Sequence, residues 1–131
     1  MPTEYRIAVI DDDPRKINEL TTYLDRTSGR DEIVVRIVAQ AQSIDEALAL
    51  IPTLIEQQVT HVLLDGGLPQ DAVSSTVVRY AGELLHEKIK KAYPEIITID
   101  FSSVGQPGMD EPMGYVDMIK LASILKKSPR T

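Results

Sequence analysis

Four short apolar runs rich in β-branched residues alternate along this chain with longer stretches in which apolar residues recur at helical spacing. The runs span residues 5–10, 33–39, 59–64 and 96–101, and we predict that each is a strand. Because apolar residues fill these runs almost continuously, both faces of each strand are expected to be buried. Strands that alternate with helices predict a parallel sheet covered by helices on both faces.

Four helices are predicted between and after these strands. The first begins at Pro14, because proline at the first helical position loses no needed hydrogen bond. Ser43 and Glu46 form a capping box at the start of the second. The spacing of apolar residues predicts a long third helix over residues 72–93 and a last helix over residues 116–127. With 131 residues and no linker, the chain is expected to form one domain, residues 1–131.

Composition excludes several classes of function. The net charge is −6 and no block of Lys and Arg stands out, which argues against binding to nucleic acid. The chain has no cysteine, so disulfides, thiolate metal sites and thiol catalysis are excluded. No apolar stretch approaches the length of a membrane span, and no basic segment followed by a long apolar run opens the chain. We therefore expect a cytoplasmic protein that does not contact a membrane.

Polar side chains follow directly on three of the predicted strands. Asp11 and Asp12 follow the first, Asp65 follows the third and Ser102 follows the fourth. In parallel α/β sheets the functional site lies at the carboxyl ends of the strands, so these residues are expected to converge. Three converging carboxylates repel one another unless a cation lies among them, and Mg²⁺ prefers such oxygen ligands. A carboxylate can also attack a phosphoryl group to form an aspartyl phosphate.

Three segments carry a resemblance to a known family. Residues 7–14 (IAVIDDDP) resemble the opening strand and acidic pair of response-regulator receiver domains. Residues 63–69 (LLDGGLP) resemble the phosphoacceptor loop of these domains, and residues 97–103 (ITIDFSS) resemble their fourth strand. The resemblance runs in order over about residues 5–103 and more loosely over residues 111–127.

The resemblance implies a doubly wound, flavodoxin-like sheet with strand order 2-1-3-4-5, and it implies a role for each polar residue at the strand ends. Asp65 would be the phosphoacceptor, and Asp11 and Asp12 would hold Mg²⁺ directly or through water together with Asp65. The backbone carbonyl of Gly67 would be a further metal ligand. Ser102 would supply the hydroxyl that senses the phosphoryl group.

The sequence departs from the family at the fifth strand, where receivers carry a lysine before a proline. Aligning the Glu-Pro pair puts Glu111 at that position and spaces the last helix well, whereas aligning residues 114–116 with the family's Gly-Tyr-Val puts Met118 there. Neither alignment supplies the lysine, and Lys120 in the last helix is a poor substitute. Residues 102–111 are too few for a fourth helix and a fifth strand, so an irregular, shortened region is predicted.

The charge balance of the predicted pocket makes this departure important. Three ionised aspartates with one Mg²⁺ leave one negative charge, which the family's lysine would neutralise. An ionised Glu111 would instead leave two negative charges and repel a phosphoryl dianion. Loss of one such electrostatic contact typically costs about 3 kcal/mol of transition-state stabilisation. Phosphorylation is therefore expected to be slow or absent unless another cation enters the pocket.

Three functions remain open from the sequence. The first is a stand-alone receiver, not an enzyme, that accepts phosphate from a sensor histidine kinase or phosphotransfer protein and signals through protein contacts. The second is a degenerate receiver that serves as an interaction scaffold without being phosphorylated. The third, disfavoured because Arg15 follows Pro14, is a phosphohydrolase of the haloacid dehalogenase type built on Asp11 and Asp13. Formation of a homodimer is open in each case.

Overall fold

The structure, a computed structural model, describes residues 3–27, 33–103 and 105–127. None of the helices in these residues is long and apolar enough to cross a membrane. Within them the strands are β1 (Thr3–Ile10), β2 (Ile33–Ala41), β3 (His61–Leu64), β4 (Leu68–Pro69), β5 (Val77–Val78) and β6 (Ile97–Asp100). The helices are α1 (Pro14–Thr27), α2 (Ile44–Leu50), α3 (Ala81–Ala92) and α4 (Leu121–Lys127), with 3-10 helices at Ile51–Thr53 and Tyr115–Lys120.

A four-stranded parallel sheet in the order β2-β1-β3-β6 forms the centre of the fold. This arrangement confirms the predicted doubly wound sheet, with β6 as its fourth strand. Its register aligns the strand ends, because Ile10 pairs with Leu64 and Leu64 pairs with Asp100. The residues that follow these three positions therefore leave the sheet at the same edge, where the polar side chains were predicted to meet.

The sheet is covered on both faces. One buried cluster joins Ile7 and Val9 of β1 to apolar residues of α1 and α4. The other joins Ala8 and Ile10 of β1 to apolar residues of α2 and α3. Successive residues of a strand point to opposite faces, so the near-continuous apolar run of β1 supplies both clusters.

The fifth strand of the sheet is reduced to a single bridge between Ile99 and Glu111. The Glu111 amide donates to the Thr98 carbonyl at 3.0 Å, and the Asp100 amide donates to the Glu111 carbonyl at 2.9 Å. This bridge confirms the shortened region and puts Glu111, as the Glu-Pro alignment predicted, next to β6. Met118 lies in the 3-10 helix instead.

Hydrogen bonds that involve side chains attach the irregular region before Glu111 to β6. The Asp110 carboxylate accepts hydrogen bonds from the Thr98 amide at 3.0 Å and from Lys90 Nζ at 2.7 Å. The Asp110 amide donates to Thr98 Oγ1 at 3.1 Å, and that hydroxyl also lies 2.8 Å from His86 Nδ1. Burial alone would raise the pKa of Asp110, but the bonds from Lys90 and Thr98 lower it overall. The contacts replace much of the hydrogen bonding that a full fifth strand would supply.

The predicted helix over residues 72–93 is wrong in residues 72–80, because α3 begins only at Ala81. The Asp71 carboxylate accepts hydrogen bonds from the next amides at Val73 and Ser74, which forms a tight turn. The chain then returns as β5, which pairs antiparallel with β4. The apolar side chains that suggested a helix here belong to this hairpin or are exposed on the surface.

The last predicted helix, over residues 116–127, is also only partly correct. Its first half is the 3-10 helix Tyr115–Lys120, inside which Asp117 has non-helical dihedral angles (φ −109°, ψ 27°). Backbone hydrogen bonds from Gly114 to the Asp100 carbonyl and from Tyr115 to the Ser102 carbonyl tie this segment to the end of β6. Regular α-helix starts only at Leu121, after the chain has left those contacts.

Candidate functional site

Three carboxylates converge at the carboxyl ends of β1 and β3. Asp11, Asp12 and Asp65 each offer an oxygen that lies within 4.8 Å of the oxygens of the other two. Asp11 is fully buried, whereas Asp12 and Asp65 are partly exposed and line a cavity. The convergence predicted from the strand ends is therefore present.

Asp65, which lines this cavity, is held in place by hydrogen bonds to β1 and within its own loop. Its amide donates to the Ile10 carbonyl at 2.9 Å, and its Oδ1 accepts from the Gly66 amide at 2.8 Å. Burial, followed by the nearby charge of Asp11, raises the pKa of Asp65 to about 6. The Gly82 amide at the start of α3 donates to the Gly66 carbonyl at 3.1 Å and fixes the loop from the other side.

Asp11 lies deeper, where its two carboxylate oxygens differ in environment. Oδ1 accepts a hydrogen bond from the Asp13 amide at 2.8 Å. Oδ2 is buried and receives no aligned hydrogen-bond donor, although Lys16 Nζ lies only 2.6 Å from it. This contact is an ion pair between a buried carboxylate and a buried ammonium group. Burial raises the pKa of Asp11, against the opposing effect of Lys16.

Lys16 is a residue of this site that reasoning from the sequence missed. It belongs to α1, it is 5% exposed, and its Nζ also lies 3.6 Å from Asp65 Oδ1. A signal was present, because Lys16 stands four residues before Leu20 and so falls on the apolar side of α1. A lysine at such a position is almost never fully buried unless it is paired, and the strand-end aspartates are its partners.

Ser102 lies at the cavity, but its hydroxyl is engaged elsewhere. Ser102 Oγ donates to Asp100 Oδ1 at 2.6 Å, and the Ser102 amide donates to the same oxygen at 2.9 Å. The Gln106 side chain donates to that oxygen as well, at 3.0 Å, and to the Leu64 carbonyl at 2.7 Å. Asp100, an unusual residue for a central strand, thus ties Ser102 and Gln106 together beside the loop that follows β3. A Ser102 hydroxyl that bonds a phosphoryl group must first leave Asp100.

A cavity of about 470 Å³ opens over Asp65. Its wall is formed by the loop after β3 (residues 65–67), the hairpin of β4 and β5, the start of α3 and the irregular region after β6. Gly67, the predicted carbonyl ligand, is part of this wall, whereas Glu111 is not among the described residues that line it. The lining residues are Asp12, Asp65, Gly66, Gly67, Val77, Arg79, Tyr80, Glu83, Ser102, Ser103, Gly105, Gln106 and Pro107.

The donor set at this site fits a hard divalent cation. Mg²⁺ binds carboxylate and carbonyl oxygens and typically uses one or two carboxylates. Asp12 and Asp65 are partly exposed and line the cavity, so their carboxylate oxygens are open to an ion, and an oxygen of Asp11 lies within 4.8 Å of theirs. Three ionised aspartates with one lysine leave two net negative charges, which one divalent cation would balance.

Comparison with known proteins gives a result at the level of structure only. No protein-family model matches the chain, and no curated protein matches it. A CheY-like receiver domain from Methanospirillum hungatei is 20% identical, with a TM-score of 0.64 over 96% of this chain and 97% of that one. The receiver domain of the putative regulator NarL from Mycobacterium tuberculosis is 17% identical, with a TM-score of 0.63 over 98% of this chain and 100% of that one.

A longer protein gives the same picture. The response regulator RcsB of Salmonella typhimurium, whose structure is described in terms of its interaction with DNA, is 19% identical, with a TM-score of 0.64. The match covers 97% of this chain and 64% of RcsB. Together with the sheet order and the position of the carboxylates, these similarities show that the chain has the fold of response-regulator receiver domains.

Proposed function

We propose that this chain is a receiver-type signalling domain that accepts a phosphoryl group on Asp65 and is not an enzyme acting on free substrates. The observation that carries the proposal is the environment of Asp65. Its carboxylate is reachable from the cavity, two further aspartates lie within 4.8 Å, and a buried ammonium lies 3.6 Å away. Nucleophile, acidic metal ligands and a fixed positive charge are the groups that phosphoryl transfer to a carboxylate requires.

The proposed step is a displacement at phosphorus. A carboxylate oxygen of Asp65 forms the new P–O bond while the bond to the donor breaks, and the leaving group keeps the electron pair. For a phosphohistidine donor the broken bond is P–N and the imidazole nitrogen takes up a proton. Oδ1 of Asp65 is held by the Gly66 amide, so we assign the attack to Oδ2.

Mg²⁺, when bound, would neutralise charge on the phosphoryl oxygens. Asp11, Asp12 and Asp65 would hold it, with the backbone carbonyl of Gly67 as a further ligand. The carboxylate oxygens of the three aspartates support this assignment by their mutual distances, and Gly67 supports it by lining the same cavity. Ser102 would bond the phosphoryl group after its hydroxyl turns away from Asp100.

The donor in this proposal is a sensor histidine kinase or a phosphotransfer protein in the cytoplasm, and the output passes through protein contacts. The cavity over Asp65 has a volume of about 470 Å³, which exceeds that of an imidazole ring, and Val77 and Tyr80 line it at its exposed rim. Tyr80 is 72% exposed and Val77 is 49% exposed, which makes them available to a partner. A protein donor rather than a free metabolite suits such a rim.

One observation favours the second candidate, an interaction scaffold that is never phosphorylated. The Ser102 hydroxyl is already bonded to Asp100 at 2.6 Å, and a phosphoryl group must compete with this buried carboxylate for it. The hydrolase alternative has no such support. Asp13, its second aspartate, caps α1 by accepting from the Arg15 amide and pairs with the Arg15 guanidinium at 3.0 Å.

Beryllofluoride, which mimics a phosphoryl group on a carboxylate, separates the two candidates. We expect the wild-type protein with Mg²⁺ to show a bound fluorine NMR signal that Asp65→Asn abolishes. Asp25→Asn, which changes an exposed aspartate on α1, is the matched control and should keep the signal. Absence of a bound signal in the wild-type protein at millimolar Mg²⁺ would favour the scaffold instead.

A further inference from the structure

Lys16 is a buried lysine on the apolar side of α1, and its partners are the aspartates of the acidic site. Its neighbours along the buried side of α1 are Ile17, Leu20 and Leu24, all apolar. The ammonium group lies instead at the carboxyl ends of β1 and β3, 2.6 Å from Asp11 Oδ2 and 3.6 Å from Asp65 Oδ1. Taking an ammonium out of water costs several kcal/mol, so the pairing at its end must compensate for that loss.

Two aromatic rings hold the Lys16 side chain in this position. Nζ lies 5.0 Å from the centre of the Phe101 ring and 5.2 Å from the centre of the Tyr115 ring. The two rings meet edge to face, with their centres 5.7 Å apart. Both distances fall within the range of cation–π attraction, which fixes the ammonium at the end of β6.

The ammonium contacts the acceptor as well as its structural partner. A purely structural ion pair would need only Asp11, at 2.6 Å, but Nζ also lies 3.6 Å from Asp65 Oδ1. Lys16 does not line the cavity, whereas Asp12 and Asp65 do. The positive charge therefore lies at Asp65 without filling the cavity, and a phosphoryl group on this carboxylate would stand within reach of Nζ.

We propose that Lys16 binds the phosphoryl oxygens on Asp65 and so supplies, from the first helix, the positive charge that the fifth-strand position lacks. That position carries Glu111, whose backbone forms a single bridge with Ile99. A carboxylate there repels an anion and does not bind it. The inference rests on the proposed acceptance of a phosphoryl group at Asp65. The charge of Lys16 brings the three ionised aspartates and one Mg²⁺ to a net charge of zero. The repulsion of a phosphoryl group that the sequence predicted is thereby removed.

The test measures Mg²⁺ and beryllofluoride binding separately in Lys16→Met, which keeps most of the length of the side chain and removes its charge. The Gly66 amide donates to Asp65 Oδ1 and reports Mg²⁺ binding by its NMR shift. Mg²⁺ should bind Lys16→Met severalfold more tightly, since a competing cation is gone. Beryllofluoride at saturating Mg²⁺ should bind on the order of 10- to 100-fold more weakly, the usual loss for a hydrogen bond to a charged group.

Conservative variants separate anion binding from a structural role. Lys16→Arg keeps the charge and should recover much of the beryllofluoride binding, whereas Lys16→Gln should behave like Lys16→Met. If Lys16→Met fails to fold by circular dichroism, Lys16→Gln gives the decisive comparison. Lys88→Met, which removes an exposed lysine from α3, is the matched control and should bind both ligands normally.

The outcomes distinguish this inference from the function on which it rests. Wild-type affinity for beryllofluoride in the uncharged Lys16 variants at saturating Mg²⁺ would refute the role of Lys16 and leave the acceptor role of Asp65 standing. Absence of a beryllofluoride complex in the wild-type protein would overturn both.

Discussion

Asp65→Asn is expected to stabilise the metal-free protein at neutral and alkaline pH by about 3 kcal/mol, since each unit of pKa shift corresponds to about 1.4 kcal/mol. The folded protein raises the pKa of Asp65 to about 6, chiefly by burial and then by the charge of Asp11, from an ordinary value of 3.8. The folded state therefore prefers the protonated acid. Asparagine imitates that neutral form and cannot ionise.

The sign of this effect fixes its pH dependence. Below the pKa of the unfolded chain the carboxyl group is protonated in both states, and the wild-type protein and the variant should have equal free energies of unfolding. As the pH rises through the window from about 4 to about 6, the wild-type protein loses stability relative to the variant, and the full difference is reached above it. Urea unfolding at a series of pH values measures the difference directly.

Two controls make this result specific to the site. Asp25→Asn removes an exposed aspartate and should change the free energy of unfolding by less than about 0.5 kcal/mol. Millimolar Mg²⁺ should stabilise the wild-type protein, because the metal binds the folded state through the Asp65 carboxylate and does not bind the unfolded chain. The difference in stability between Asp65→Asn and the wild-type protein should therefore become smaller. An Asp65→Asn variant that is no more stable than the wild-type protein near pH 8 would contradict the conclusion that the ionised Asp65 carboxylate destabilises the folded state.

Gly82→Ala is expected to destabilise the protein by about 2–3 kcal/mol, the upper part of the usual range for overpacking. A Cβ atom on Gly82 would lie 2.4 Å from the Asp65 carbonyl oxygen and 2.4 Å from Gln106 Oε1. The Gln106 side chain can move, but the Asp65 carbonyl belongs to the acceptor loop and cannot. The gain in helix propensity from glycine to alanine, about 1 kcal/mol at most, does not offset the clash.

A neighbouring glycine provides the matched comparison for this variant. A Cβ atom on Gly66 would lie no closer than 3.5 Å to any atom, an ordinary van der Waals contact. Gly66→Ala should therefore change the unfolding free energy by less than about 1 kcal/mol. Adding Gln106→Ala to Gly82→Ala should recover only part of the loss, because the backbone clash stays. Full recovery of the unfolding free energy in the double variant would show that the backbone at Asp65 can move away from α3.

The strand ends were predictable because they depend on local pattern and a general rule of parallel sheets. The near-continuous apolar run before Asp11 specifies a strand buried on both faces, and the same pattern precedes Asp65. Once both are parallel neighbours, their carboxyl ends must meet. The site therefore followed from the sequence even though the receiver structures compared above are only 17–20% identical to this chain.

The residues that complete the site depend on long-range contacts and were harder to predict. Gln106 reaches the Leu64 carbonyl across 42 positions of the sequence, and no local pattern indicates such a bond. The hairpin of β4 and β5 forms because Leu68 is buried and pairs with Val78, which overrides the helical spacing of the segment. Lys16 could have been found, since a lysine on the apolar side of α1 calls for a buried partner.

Phosphorylation of Asp65 itself can be measured by the intact mass of the protein after incubation with Mg²⁺ and a small acyl phosphate. We expect the mass of one phosphoryl group to be added to the wild-type protein and to Asp25→Asn, but not to Asp65→Asn. The adduct should be lost at alkaline pH or on treatment with hydroxylamine, as an acyl phosphate is. An unchanged mass in the wild-type protein, or an equal increase in Asp65→Asn, would contradict the assignment of Asp65 as the acceptor.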